Sequence, residues 1–373
     1  MKINFISNIC PEEASGGISG MNAAAYDALS EMADVRYVGP VNPPINPWSK
    51  IASKLRRVIG TRGQFYFFNQ ARLEGIAQQV AWECEPDADL DFYMGFTPWI
   101  LCSSPRPYVA WNDCSFFDYL KIYHNPKDYS AGQRDWLGRT EASWMANATK
   151  IFFSSQWAKE RSARDYQLPT EQLESVGIFG AMEVPEQDCW EGSKDFYFIS
   201  TNFEQKNGLL CRRAMDEVWK THPDARLRII GAEPPESCLV PGKVIYEGFF
   251  KKTNAAELIK FRSHLAQAFA LVHPTDSDIT PLTVIEAGFF GCPAISVDDF
   301  ALREVTSQSN HHLLLPRPLT VSALAEAMLA LLDQPEDYLQ SREDARSFAT
   351  SNLSQTAFRK RLQEAVKRAA TNS

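Results

Sequence analysis

Short apolar runs alternate with amphipathic stretches along this chain, and the alternation runs through twice. Runs at 3–7, 35–38, 91–94, 108–111 and 151–153 read as strands, with helices at 19–32, 69–85, 133–147 and 156–166. In 19–32, Met21, Ala24, Ala25, Ala28, Leu29 and Met32 share one helical face. The rhythm pauses at 183–194, where Pro185, Gly192, Ser193 and five charged residues make a linker-like segment. It restarts with strands at 196–200, 226–230, 244–246, 268–272 and 293–297 and helices at 207–221, 254–262 and 283–290. Parallel strands need crossover connections, and interleaved helices supply them. The pattern therefore predicts an α/β protein of two tandem doubly wound units with helices on both sheet faces. At about 100–200 residues per domain, two domains fit 373 residues. The expected division is 1–185, a linker at 186–194, a second domain at 195–352, and a closing helix at 353–373 that is a candidate to return to the first domain.

Charge and cysteine usage remove several function classes. The net charge is −8 and the sequence pI about 5.4, whereas a general nucleic-acid binder needs a basic face to neutralise phosphates. The eight cysteines form no CxxC pair and stand near no histidine at zinc-ligand spacing, so they read as reduced thiols of a cytoplasmic protein. The first residues are too short an apolar run for a signal peptide, and no run of about 18 apolar residues exists to span a membrane. Asp87-x-Asp89-x-Asp91 simply precedes a strand, and the six histidines show no ligand spacing; no metal and no cofactor are expected. His273, ahead of Pro274, reads as a packed strand-end residue.

Ligands of open parallel sheets bind beyond the carboxyl ends of the strands, so the loops directly after strands carry the search. The most informative runs from His273 to Ala287, with Gly291-Cys292-Pro293 behind it. A buried strand enters an acidic loop holding Asp278. A helix then opens around Thr280-Pro281-Leu282 and carries Glu286. The free amides of such a helix start suit a diphosphate, and the two acids can accept hydrogen bonds from sugar hydroxyls. In 198–209, Lys206 stands just past a strand end, a point charge suited to the same diphosphate. Taken alone, this pattern also fits a plain βαβ unit with a solvated acidic loop.

The Asp278-x7-Glu286 pair, framed by Pro274-Thr275 and Gly291-Cys292-Pro293, resembles the acidic pair of the retaining glycosyltransferases of family 4, which have the GT-B fold of two Rossmann-like domains. The resemblance is closest over 196–305 and looser over 1–185. It implies that Asp278 contacts the donor sugar and Glu286 the ribose hydroxyls, with Lys206 on the diphosphate. It implies further donor contacts from Gly231, Ala232 and Glu233, from Phe249 over the base, and from Gly17 in the glycine-rich loop 14–21. Gly16 and Gly20 of that loop fall on the acceptor side. The chain departs from the family in two places. Thr201 and Asn202 stand where an arginine commonly shares the diphosphate. Asn112 and Asp113 stand where many members have a histidine, so Asp113 becomes the acceptor-side candidate. The implied activity is metal-independent transfer of a sugar from a nucleotide-diphosphate sugar to a saccharide, lipid-linked or small-molecule acceptor. A nucleotide-sugar epimerase or hydrolase, and a catalytically silent partner subunit, are the rival readings.

One more feature stands apart. Between Asp34 and Glu74 there are seven cationic residues and no acidic one. Trp48, Ile51, Leu55, Val58 and Ile59 share a helical face, with Lys50, Lys54 and Arg57 opposite and Arg56 beside them. Such a helix either packs its apolar face on its own domain or lies on an anionic membrane or acceptor.

Overall fold

The computed structural model describes residues 1–13, 17–44, 48, 51, 55 and 65–371. The chain divides into two compact units, Met1–Gly177 with Phe358–Ser373, and Ile178–Ala357.

The first unit is a six-stranded sheet, all of whose pairings are parallel. Its strands are β1 (Lys2–Ile6), β2 (Asp34–Val38), β3 (Leu90–Met94), β4 (Tyr108–Asn112), β5 (Lys150–Phe153) and β6 (Leu173–Ser175), in the order β2-β1-β3-β4-β5-β6. The crossovers are α1 (Gly17–Ser30), α2 (Gln70–Glu83), α3 (Phe116–Tyr123), α4 (Ala131–Ala146) and α5 (Gln156–Tyr166). Polar caps set the starts of the last four: Asn69, Ser115, Ser130 and Ser155 each accept a backbone N–H three residues on. Glu141, fully buried on α4, accepts from Thr97 Oγ1 at 2.6 Å, the Phe116 amide at 2.7 Å and Tyr166 Oη at 2.5 Å. Burial raises its pKa, the hydrogen bonds work against that rise, and the carboxyl ties α3, α4 and α5 together.

The second unit repeats the plan with β7 (Asp195–Ser200), β8 (Arg226–Gly231), β9 (Val244–Gly248), β10 (Ala270–His273), β11 (Ala294–Val297) and β12 (Leu314–Leu315). These are again parallel, in the order β12-β11-β10-β7-β8-β9. Its helices are α6 (Gly208–Val218), α7 (Ala255–Gln267), α8 (Leu282–Phe289), α9 (Leu302–Val305), α10 (Val321–Asp333) and α11 (Pro335–Leu353). Strand order reverses between β7 and β10, which opens a crevice between the loops that leave their carboxyl ends. Gly231 ends β8 at φ +111°, and a Cβ there would lie 2.1 Å from the Ser200 carbonyl oxygen, so only glycine lets the two strand ends approach this closely.

The first compact unit runs to Gly177, where the sequence pattern suggests 185. The segment 186–194, expected as the linker, lies within the second compact unit. Asp188 holds the buried Arg342 guanidinium through two hydrogen bonds of 2.6 and 2.7 Å, and Trp190 packs edge-on against Tyr338. Its charge and glycine content are those of a loop, but Arg342 anchors it from far along the chain. The final helix, α12 (Gln355–Thr371), supplies Phe358 onward to the first unit. There the Phe358 ring lies 4.9 Å from Trp111, and Arg361 Nε donates to the Val176 carbonyl at 2.8 Å.

Candidate functional site

A cavity of about 260 Å³ opens in the second unit where β7, β8 and β10 end. Ser200 and Thr201 line it from the end of β7, and Lys206 from the loop that follows. Gly231 closes one side; Phe249, Phe250 and Lys252 come from the loop after β9, with Phe261 of α7 behind them. His273, Asp278, Thr280, Leu282 and Thr283 complete the wall.

The polar centre is built on Asp278. Its Oδ2 accepts from His273 Nε2 at 2.7 Å and lies 3.1 Å from Lys206 Nζ, which also donates to the Ser277 carbonyl. Burial favours the neutral carboxyl, but the His273 hydrogen bond and the Lys206 charge outweigh it. Asp278 is therefore held below the usual carboxylate pKa and stays ionised. His273 is buried as expected of a strand-end residue, yet it also faces the cavity and orients the acid. The signal was its position, directly at the start of the acidic loop.

Glu286 is buried on α8 behind the wall, and Lys252 Nζ sits 2.5 Å from its Oε2. Lys252 was not anticipated from the sequence. Its only local cue is a lysine just past the Gly248-Phe249-Phe250 turn, and the partner that gives it meaning lies on a different element.

The helix start reaches the cavity through Thr280, Leu282 and Thr283. Pro281 caps α8 and has no N–H, while the Leu282 amide donates to the Thr280 carbonyl at 2.8 Å. Asn202 turns its side chain to Gln205, at 3.0 Å for both of their hydrogen bonds, and is not in the cavity wall. Ala232 and the exposed Glu233 follow Gly231 but also lie outside the wall.

Asp276 and Asp278 do not converge. Asp276 binds Asn207 Nδ2 at 2.7 Å and Arg317 Nη1 at 2.6 Å, whereas Asp278 faces His273 and Lys206. Likewise Asp87 pairs with Lys2, and Asp91 with Arg106 and Asn4. Among the described residues no three His, Cys, Asp or Glu side chains form a metal-holding group.

In the first unit, Gly17 opens α1 and Gly20 lies within it. Asn112 ends β4, where its side chain donates to the Cys114 carbonyl at 2.8 Å. Asp113 follows half-buried; burial pushes the Cys114 thiol well up, and the Asp113 charge and hydrogen bond add to the rise. Gly16, Lys50, Lys54, Arg56 and Arg57 lie outside the described residues.

The segment that builds the cavity has known relatives. Residues 185–348 match the family of glycosyl transferases, group 1. No curated protein matches this sequence. Solved structures share the fold at low identity. Sucrose-phosphate synthase from Thermosynechococcus elongatus is 13% identical with a TM-score of 0.67, covering 100% of both chains. HepE of Anabaena, solved with UDP, is 12% identical with a TM-score of 0.65, over 99% of this chain and 100% of its own. A glycosyltransferase from Rickettsia africae is 13% identical with a TM-score of 0.64, over 100% and 99%. Two parallel six-stranded Rossmann-like units make the fold GT-B.

Proposed function

We propose that this chain is a retaining glycosyltransferase of the family 4 type. It would take a nucleotide-diphosphate sugar in the second unit and transfer the sugar to a carbohydrate or lipid-linked acceptor without a metal ion. The observation that carries the reading is the meeting of Lys206, Asp278 and His273 at the carboxyl ends of β7 and β10, within the segment that matches the group 1 family. The UDP held by Anabaena HepE supports a nucleoside diphosphate as the ligand class.

In this reading Lys206 faces the diphosphate, and its fixed charge offsets the negative charge that grows as the sugar–phosphate bond breaks. The free Oδ1 of Asp278 accepts a hydroxyl of the donor sugar. The acceptor hydroxyl attacks the anomeric carbon on the face the diphosphate leaves. Its proton passes to the departing phosphate oxygen, giving the glycoside and a nucleoside diphosphate. Asp113 and Asn112 are the acceptor-side candidates, and the basic stretch at 36–72 is a contact for an anionic membrane or acceptor.

The test is release of nucleoside diphosphate from a panel of nucleotide-diphosphate sugars, with and without candidate acceptors, in excess chelator. Turnover that persists in chelator and falls at least tenfold in Lys206→Ala is the expected result. Loss of all turnover in chelator, restored by magnesium or manganese, refutes metal independence. Binding of nucleoside diphosphates with no release from any donor points to the silent-partner reading instead.

A further inference from the structure

Three loops leave the carboxyl ends of β10, β11 and β12 side by side, and one side chain ties them together. Arg317, two residues past β12, donates from Nη2 to the Thr275 carbonyl at 3.0 Å and from Nη1 to Asp276 Oδ1 at 2.6 Å, both in the loop after β10. Its Nε donates to Asp299 Oδ2 at 3.0 Å, in the loop after β11. A planar guanidinium presents its donors in a fixed fork, so these acceptors are held in one geometry rather than merely near a charge. The Phe300 ring lies 5.3 Å from the guanidinium carbon. Phe300 adopts φ +56°, a left-handed conformation that a bulky residue takes only where its surroundings impose it.

The loop after β10 is the one that carries Asp278. Asp276 and Asp278 serve opposite sides of it, the first bound to Arg317 and the second in the cavity wall. Short links couple the two sides. The Ser277 amide donates to Thr275 Oγ1 at 3.1 Å, and Asn207 Nδ2 donates to the Pro274 carbonyl at 2.9 Å and to Asp276 Oδ2 at 2.7 Å. On the cavity side the loop is held by Lys206, through the Ser277 carbonyl and Asp278, and by His273. Lys206 is also the cation that the donor reading turns toward a diphosphate. Its ammonium has three donors, and any that go to phosphate leave the loop. Arg317 and Asn207 are not in the cavity wall, so their hold on the loop persists when the cavity fills.

We propose that Arg317 is a positioning residue of the candidate site, fixing the loop 274–278 from its outer side so that Asp278 keeps its place when Lys206 engages the ligand. The catalytic consequence rests on the donor-site reading, whereas the coupling of Arg317 to Asp278 is testable without any ligand.

Arg317→Met removes the fork, and Arg317→Lys keeps the charge but cannot reach both loops. Asp276 and Asp299 are 58% and 36% exposed, so losing Arg317 strands no buried charge and the variants should fold, which thermal unfolding checks. The ligand-free arm is the NMR signal of the His273 ring, assigned by its loss in His273→Gln. Its partner is Asp278, so Arg317→Met should move the signal in the direction that Asp278→Asn does, and Arg317→Lys should move it part of the way. A signal unchanged in Arg317→Met overturns the proposal. So does Arg317→Lys behaving as wild type, since charge alone would then suffice. The second arm is turnover of whichever nucleotide-diphosphate sugar wild type cleaves fastest. Arg317→Met should lower kcat roughly tenfold to a hundredfold, the scale of a reacting group misplaced by about 1 Å, with calorimetric affinity for the nucleoside diphosphate unchanged. Asp278→Asn combined with Arg317→Met should be no slower than Asp278→Asn alone, because Arg317 acts through that acid. Additive losses in the double variant, or a nucleotide affinity that falls along with turnover, overturn the positioning role in favour of a general structural one. Should Arg317→Met fail to fold, Arg317→Lys carries both arms. Wild type that cleaves no donor overturns the donor-site reading instead, and the His273 signal still decides whether Arg317 holds Asp278.

Discussion

Asp278 accepts a hydrogen bond from His273 and lies 3.1 Å from the Lys206 ammonium, and its charge depends on both. Its pKa is pulled below the usual carboxylate range, which fixes the sign of its pH linkage. A depressed carboxylate contributes stability that is full above its unfolded pKa and is lost as pH falls through the folded one. Asp278→Asn keeps the shape and removes the charge. The variant should be less stable by roughly 1.5–3 kcal/mol between about pH 5 and 8, as charged hydrogen bonds are lost. That gap should narrow below about pH 4, where the wild-type acid also becomes neutral. Paired thermal unfolding curves from pH 3 to 8 measure it. A gap that widens as the pH falls would mean the acid is not the ionised partner of His273 and Lys206. At this scale the sequence was informative for Asp278, Glu286 and Lys206, whose spacing along one loop and helix is a local pattern. It was silent on Lys252, because a lysine after a turn acquires its role only from a carboxylate on another element. The start of α8 at Pro281 was readable as well, whereas the turn of the Leu282 amide to the Thr280 carbonyl is a detail of backbone direction that no sequence pattern carries.

Among the elements, the legible ones were those with a clear period. Helices such as α2 and α5 and the buried strands β3 and β10 stand within a few residues of their expected places. Helix α3 was missed. Its eight residues are too short and too aromatic for a period to show, and the Ser115 side chain accepting the Asp118 amide decides its start. Strands β6 and β12, of three and two residues, are edge strands defined by pairing to β5 and β11 and carry no pattern of their own. The basic stretch remains the element most open to experiment. Trp48, Ile51 and Leu55 are helical and exposed, at spacings that share one face. Exposed apolar residues, with cations expected opposite them from the sequence spacing alone, match an interfacial helix. Neutralising Lys50, Lys54, Arg56 and Arg57 together should weaken co-sedimentation with anionic vesicles, each charge contributing about 1 kcal/mol at low salt. The difference should shrink at high salt, because exposed charges are screened within about 10 Å at 0.1 M. Nucleotide affinity should stay the same. Wild type that ignores anionic vesicles at low salt would reduce the stretch to a solvated face.

At the scale of the molecule, the chain's path makes the two units unequal in how they are specified. The second is one continuous segment, 178–357, with its own sheet, its own core and the whole of the candidate donor pocket. The first is not continuous, since it needs Phe358–Ser373 from the far end of the chain. Phe358, Leu362 and Val366 are fully buried there, four residues apart on one face of α12, and Trp111 beneath Phe358 is fully buried as well. The sequence offers the closing helix as a candidate to return to the first domain, while the contacts that hold it there, to Trp111 and Val176, are tertiary. Cutting Phe358 to alanine removes a buried aromatic ring from that seam, a change that costs about 3–5 kcal/mol in well-packed cores. The cost should fall on the first unit alone. Calorimetric unfolding of Phe358→Ala should show one transition moved down by several degrees, while a second transition and nucleoside-diphosphate affinity stay where they are in wild type. A nucleotide should in turn raise only the second transition, because a ligand stabilises the unit that binds it. If Phe358→Ala shifts every transition equally, the two units unfold as one cooperative body and the division of the chain at Gly177 and Phe358 has no thermodynamic meaning.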